Sequence, residues 1–181
     1  MKIIAAVCNS HNILKHSYQI FGGGIGINNR LPWKISKDMQ YFKEITIGSG
    51  KNAVVMGRKT WESLPKALPK RDNLVLSTTV NSAKNMTRFL CIDDLERHIE
   101  KKKYDDVWII GGSSIYEQFY NKVSQMYITN IDKYYTCDSF FLDNATQTSQ
   151  FELETSTKTY YENYIPFKFQ IFTNRTAGCR K

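Results

Sequence analysis

The 181-residue sequence holds no apolar stretch long enough to cross a membrane as a helix. Its opening run, Met1-Lys2-Ile3-Ile4-Ala5-Ala6-Val7, is too short for the hydrophobic part of a secretory leader and reads as a first buried strand. The four cysteines (Cys8, Cys91, Cys137 and Cys179) show no paired spacing. That argues against a zinc site or a disulfide framework and predicts reduced thiols in a cytoplasmic protein. His11, His16 and His98 also lack ligand-like spacing, so solvated surface histidines are expected and no metal. Internal repeats and low-complexity segments are absent. Acidic residues are in deficit, 17 against 25 Lys and Arg, which leaves a net charge of +8. Such a surplus suits nucleic acid, a membrane surface, or small phosphorylated and carboxylated molecules, and by itself chooses none of them. The run Glu100-Lys101-Lys102-Lys103 reads as a solvated helix end.

What is present fits a single domain, 1–181, with a core of about 3–173. Hydrophobic residues make up 41% and charged residues 23%, ordinary values for a globular chain. Strands are expected at 3–7, 53–56, 74–77, 88–91, 107–110 and 126–131, with a late pair near 151–155 and 167–172. Helices are expected at 37–45, 59–64, 93–101 and 114–120. Continuous apolar runs alternating with helices predict an α/β fold with helices on both faces of a mainly parallel central sheet. About eight strands are expected, the helix-free late pair forming an antiparallel C-terminal edge. Residues 9–23 read as a surface insertion, and 174–181 as a polar, frayed tail.

Ligands of open α/β sheets bind beyond the carboxyl ends of the strands, so the residues just after each strand carry the most information. Gly57-Arg58-Lys59-Thr60 follows one strand and opens a helix. Glycine permits close approach, the helix start offers unpaired N–H groups, and two cations add charge, which together describe an anion site. Gly111-Gly112-Ser113-Ser114 repeats the arrangement after a second strand. Ser77, Thr78 and Thr79 follow a third. Turn formation explains glycines and serines at any one of these places; the three together suit a dinucleotide with several phosphates. Cations and the absence of an acid at these strand ends favour NADP over NAD. Gly22-Gly23-Gly24-Ile25-Gly26 lacks the spacing of a dinucleotide fingerprint and has no helix directly after it. A flexible loop over a ligand is the better reading.

Ser36 is a suitable N-cap for the helix that follows. Asp38, Phe42 and Ile45 share one face of that helix, an otherwise apolar one. That spacing is compatible with a carboxylate aimed inward, and equally with a solvated acid favoured by the helix dipole.

These motifs resemble dihydrofolate reductase over roughly 3–173. The matching segments are Gly24-Ile25-Gly26 leading to Leu31-Pro32-Trp33, Asp38 with Tyr41-Phe42, Val55-Met56-Gly57-Arg58-Lys59-Thr60-Trp61-Glu62-Ser63, and Arg71-Asp72-Asn73-Leu74-Val75-Leu76-Ser77. Ile109-Ile110-Gly111-Gly112-Ser113-Ser114-Ile115-Tyr116 and Tyr127-Ile128-Thr129-Asn130-Ile131 with Asp138-Ser139-Phe140-Phe141 complete the set. The resemblance implies that dihydrofolate is reduced to tetrahydrofolate with NADPH, by hydride transfer to pterin C6 and protonation at N5. It assigns Asp38 to the 2-amino group and N3 of the pterin, with Thr129 supporting it and Trp33 and Leu31 closing the pocket. Ile4, Met39, Phe42, Leu64, Leu68, Ile110 and Tyr116 would surround the substrate, and Arg71 would clamp its glutamate α-carboxylate. Arg58, Lys59, Thr60, Ser77 and Thr78 would hold the adenosine phosphates. Gly57, Gly111, Gly112, Ser113, Ser114, Ile115 and Tyr116 would hold the pyrophosphate and nicotinamide side, the two adjacent glycines being joined by a cis peptide. Ala6, Ile25, Gly26 and Asn29 complete the expected cofactor site. Antifolate inhibitors and a fused thymidylate synthase are partners the family implies. The segment 9–23 is longer than in compact family members.

A pyrimidine reductase of riboflavin synthesis shares the fold and cofactor, yet its substrate has no use for Asp38 or Arg71. A basic nucleic-acid-binding module fits the charge, but no basic stripe with interleaved aromatics occurs.

Overall fold

In the strand Asn52–Gly57 both faces are apolar: Ala53 and Val55 enter one core cluster, Val54 and Met56 another. Val107 and Ile109 divide from Trp108 and Ile110 in the same way. Alternating side chains that are all buried need cover on both sides of the sheet, and helices supply it. The computed structural model describes residues 1–10, 23–79, 83–142 and 150–175. Its elements are β1 (Lys2–Ser10), β2 (Gly24–Gly26), α1 (Ser36–Ile47), β3 (Asn52–Gly57), α2 (Arg58–Ser63), β4 (Asp72–Leu76), β5 (Thr87–Phe89) and α3 (Ile92–Lys102). There follow β6 (Asp106–Ile109), α4 (Ser113–Phe119), a single 3-10 turn (Tyr120–Lys122), β7 (Gln125–Tyr135), β8 (Ser139–Phe140), β9 (Phe151–Ser156), β10 (Tyr160–Glu162) and β11 (Ile165–Asn174).

The main path of the sheet runs β10-β11-β7-β1-β6-β3-β4-β5. It is parallel from β7 to β5 and antiparallel through β9, β10 and β11. Leu95 and Ile99 of α3 and Ile115 and Phe119 of α4 pack on one face; Tyr41, Phe42 and Ile45 of α1 and Trp61 of α2 pack on the other. Helix α3 carries Asp93 and Asp94 in its first turn and Lys101 and Lys102 in its last, matching the helix dipole at both ends. One amide ties three segments together: Asn52 donates to the carbonyls of Thr46 and Ile47 at the end of α1 and accepts from the N–H of Asp106. No helix among the described residues is long and apolar enough to cross a membrane.

The α/β class, the mainly parallel sheet and the antiparallel C-terminal edge match the reading of the sequence. The strand count does not: eleven strands are present among the described residues. The three unforeseen ones, β2, β8 and β10, have two or three residues each, too few to show periodicity. Strand β1 continues through Asn9 and Ser10, which pair with Tyr134 and Tyr135 past a register shift, so the insertion does not begin at Asn9. The rest of it, 11–22, lies outside the described residues. Asn174 is not part of a frayed tail. Its N–H and side chain bond Ser124 and Val123, because β11 runs to that residue. Residues 176–181, with Cys179, lie outside the description, as do His11 and His16. His98 is not a freely solvated histidine: it is half-buried, edge-on to Phe89 at 5.0 Å. Ser36 is not the N-cap of α1. Ile35 takes that place, and a carboxylate 126 residues away bonds the first turn.

The cysteines, scattered in sequence, are not all apart in space. Cys8 Sγ and Cys137 Sγ lie 3.7 Å from each other as free thiols. Both crowd Gly24: a Cβ there would overlap Cys137 Sγ and come within 3.1 Å of Cys8 Sγ. Gly24→Ala is therefore expected to destabilise the fold by about 1–3 kcal/mol through overpacking. Thermal unfolding measures this, and an unchanged midpoint would mean that the sulfur atoms move aside freely.

Candidate active site

The parallel strands β1, β3, β4 and β6 all end on one edge of the sheet, and a cleft of about 1140 Å³ opens there. At one end of it lies a buried acid. Asp38 sits in the first turn of α1, on the same face as Tyr41, Phe42 and Ile45, which hold the helix to the sheet. Its side chain therefore enters the cleft from the interior, and the residue is only 6% exposed. Burial pushes the Asp38 carboxyl up to about 6. The Thr129 hydroxyl donates to it and moderates the rise; the charge of Glu162 adds to it. Thr129 is delivered by β7, whose register pairs it with Ala6 of β1. Tyr116, buried in α4, donates to the carbonyl of Ile4 at 3.1 Å, and burial with Asp38 nearby holds its phenol well above the usual range. Apolar lining comes from Ile4, Met39, Phe42, Leu64 and Ile110.

The other end of the cleft is built from donors. Arg58, Lys59 and Thr60 open α2 after Gly57, and Ser113 and Ser114 open α4 after Gly112. Neither helix start has a side-chain cap, so first-turn N–H groups are left for a ligand. The two strand ends are joined by the Gly57 N–H, which donates to the Gly111 carbonyl at 2.8 Å. Gly111 has φ +101°, and its peptide bond to Gly112 is cis. A Cβ on Gly111 would lie 2.8 Å from the Tyr116 ring. Ser77 and Thr78 line the cleft after β4. Arg58 is shared with Glu62, whose two oxygens it meets at 2.8 and 3.0 Å.

Over the middle lies the turn 27–30. Asn28 and Asn29 have positive φ, and Ile27 and Arg30 exchange backbone bonds of 2.9 Å, which makes a tight primed turn. Asp138, at the start of the β8 segment, accepts the Asn28 N–H at 2.8 Å. Ile25, Gly26, Asn29, Arg30 and Leu31 of this region line the cleft.

Most residues singled out in the sequence thus share one cavity. Trp33, Leu68, Arg71, Thr79 and Gly111 are not part of its lining. Trp33 packs under the loop with Cys8, Ile35, Ile131 and Phe167, its ring 5.7 Å from Tyr135. Leu68 packs on the cluster behind Phe42. Arg71 is buried, donating from Nε to the Pro69 carbonyl at 3.1 Å and from Nη1 to Thr46 Oγ1 at 2.5 Å, with Phe42 beneath the guanidinium at 5.9 Å. Leu90, Cys91, Ile92 and Asp93 line the cleft without having been anticipated. They follow β5 and open α3, so the strand-end rule applied to a fourth strand finds them. Asp138, Ser139 and Phe140 are a second omission, brought in by pairing of β8 with β2.

Comparison with known proteins gives consistent results. The family model described as dihydrofolate reductase matches residues 19–174. A dihydrofolate reductase from Buchnera aphidicola is 42% identical over 118 residues, 65% of this chain and 69% of that enzyme. One from Heliothis virescens is 34% identical over 156 residues, 78% of each chain. A bifunctional dihydrofolate reductase-thymidylate synthase from Paramecium tetraurelia is 35% identical over 158 residues, 86% of this chain and 33% of that protein.

Proposed function

Because the chain belongs to the dihydrofolate reductase family and reduces dihydrofolate to tetrahydrofolate, we propose that NADPH is its electron donor and Asp38 its active-site carboxylate. The observation that carries this reading is the pairing, in one cleft, of a single buried acid with an opposite end rich in cations, hydroxyls and uncapped helix starts. That donor set fits a phosphorylated dinucleotide. Arg58, Lys59, Thr60, Ser77 and Thr78 would hold the adenosine phosphates. Gly57, Gly111, Gly112, Ser113, Ser114, Ile115 and Tyr116 would hold the pyrophosphate and nicotinamide side, with Ala6 on the nicotinamide amide. Bound there, NADPH supplies the hydride that reduces pterin C6.

The chain's own residues orient the substrate and manage its proton. Asp38 grips the 2-amino group and N3, and Thr129 fixes the carboxylate. Ile4, Met39, Phe42, Leu64 and Ile110 flank the rings, with Leu68 and Tyr116 behind them. Ile25, Gly26, Asn29 and Leu31 cover the reacting atoms, Trp33 supporting the cover from below. Excluding water there strengthens the electrostatic grip of Asp38. Asp38 polarises the pterin while a water carries the proton to N5. The direct test is spectrophotometric. NADPH absorbance falls only on addition of dihydrofolate, and NADH serves far less well; equal rates with NADH would remove the phosphate-binding assignment.

Arg71 is read as the clamp on the substrate's glutamate α-carboxylate. Its Nε and Nη1 are fixed by Pro69 and Thr46, so the fork is held rigid before substrate arrives. Arg71→Gln should raise KM for dihydrofolate about 30-fold or more, the scale of a lost charge-assisted pair, with a smaller change in kcat. A pterin lacking the glutamate should not distinguish the two proteins.

The product supports one-carbon metabolism and thymidylate synthesis in the cytoplasm, and antifolate inhibitors would occupy the pterin end. Attachment to a thymidylate synthase, the arrangement named for the Paramecium relative, is a form this domain would tolerate.

A further inference from the structure

Among the four α-helices described, the start of α1 is distinct. The starts of α2, α3 and α4 have no side-chain cap, and their first residues line the cleft. Helix α1 also has no cap from its own N-cap residue, Ile35. Its first-turn N–H groups are instead taken by a remote side chain. Ser36 N–H donates to Glu162 Oε1 at 2.6 Å, and Lys37 N–H to Oε2 at 3.0 Å. One carboxylate thus spends both oxygens on one helix start. Neighbouring residues of the β10–β11 hairpin hold the same segment. Asn163 Nδ2 donates to the Lys34 carbonyl at 3.4 Å, and the Lys37 ammonium lies 5.1 Å from the centre of the Tyr160 ring. The hairpin turn uses positive φ at both Asn163 and Tyr164, which aims it back at α1.

We propose that Glu162 is a positioning residue of the reduction: its carboxylate closes the first turn of α1 and so holds the side chain of Asp38 against the pterin. This rests on the reading of Asp38 as the active carboxylate. Two physical effects follow, both in one direction. An open helix start carries a partial positive charge that would keep Asp38 ionised; Glu162 neutralises it. The full negative charge of Glu162 also disfavours a second charge on Asp38. The other groups facing Asp38 are the Thr129 hydroxyl from β7, Tyr116 from α4 and Tyr41 from α1, and both phenols stay neutral over the working range. Glu162 is therefore the charged partner available to tune the acid. The same closure occupies the start of α1, so no other anionic group is held there.

The test compares full-length wild type with Glu162→Gln, Glu162→Asp, Glu162→Ala and Asp38→Asn in single-turnover hydride transfer across pH 5–9, with thermal unfolding alongside. Glu162→Gln keeps an acceptor but loses the charge. Its rate profile should move to lower pH, with the rate at pH 7 reduced about threefold while the melting midpoint stays close to wild type. Glu162→Asp should restore the profile in part. Glu162→Ala should show the shifted profile and a lower midpoint. A wild-type profile in Glu162→Gln, or a lowered midpoint without a shifted profile in Glu162→Ala, would reduce Glu162 to a structural cap and overturn the proposal. If wild type and Asp38→Asn gave the same profile, the reading of Asp38 would fail and the proposal with it. A profile altered in Asp38→Asn yet unmoved in Glu162→Gln would overturn the proposal alone.

Discussion

Replacing Asp38 by asparagine is expected to lower the hydride-transfer rate by about a hundredfold or more, the usual scale for a lost acid–base group. The amide fits the same space but cannot take up or release the proton on which the rate profile depends. The same substitution should make the protein more stable at neutral pH. Burial raises the Asp38 pKa to about 6 from its ordinary 3.8. A carboxyl with a raised folded-state pKa favours the fold below its unfolded value, and that contribution is lost as pH climbs through the folded value. Above pH 6 the wild-type fold thus carries an ionised, desolvated group that costs about 3 kcal/mol, from a displacement near two pH units at 1.36 kcal/mol each. Asparagine escapes that cost. The unfolding midpoint of the variant should lie above wild type at pH 7 and approach it at pH 4. A variant that is both slow and no more stable at pH 7 would show that the acid is hydrated in the free protein. Stopped-flow single turnovers and calorimetry at the two pH values give both halves of the result.

Gly111→Ala is expected to have an effect of comparable size by a steric route. At φ +101° an alanine is strained by about 1–3 kcal/mol. Its Cβ would also lie 2.8 Å from the Tyr116 ring. Tyr116 has little freedom to yield, because it is buried, edge-on to Phe141 at 4.9 Å, and its hydroxyl is bonded to Ile4. Relief must come from the segment 111–114, which frames the donor end of the cleft. The expected outcome is an NADPH Kd raised about a hundredfold, seen by fluorescence titration, together with a lower melting midpoint. A Kd within twofold of wild type would mean that this backbone is not part of the cofactor site.

What the sequence reveals and what it hides divide along one physical line. The segments Val55–Thr60 and Ile109–Ser114 were legible because strand, glycine, helix start and donors are contiguous, so local chemistry and fold position coincide. Asp38 was half legible. Its spacing to Phe42 and Ile45 gives its face, but whether that face is dry depends on β7 and α4, which lie 87 and 75 residues or more away in the chain. Glu162 was invisible. No periodicity relates a three-residue strand to a helix 125 residues earlier, and the nearby Ser36 offered a plausible local cap in its place. The Cys8–Cys137 contact was hidden for the same reason, being the product of register between β1, β2 and β8. Cys91 and Asp93 differ: the rule that finds the other strand ends finds them too, and no motif drew attention to β5.

The position of β1 has a consequence for how the protein comes into being. Of the strands described, synthesis produces this one before the rest, yet its parallel neighbours are β6 and β7, whose first paired residues, Trp108 and Gln125, lie 106 and 123 positions beyond Lys2. Until the ribosome has released them, a segment of largely apolar residues waits without a partner, the situation in which nascent chains recruit chaperones or aggregate. Closure over so many intervening residues is also slow on entropic grounds. Ile4 and Ala6, which line the cleft, are translated well before the residues they pair with, Tyr127 and Thr129, and reach their working places only when β7 arrives.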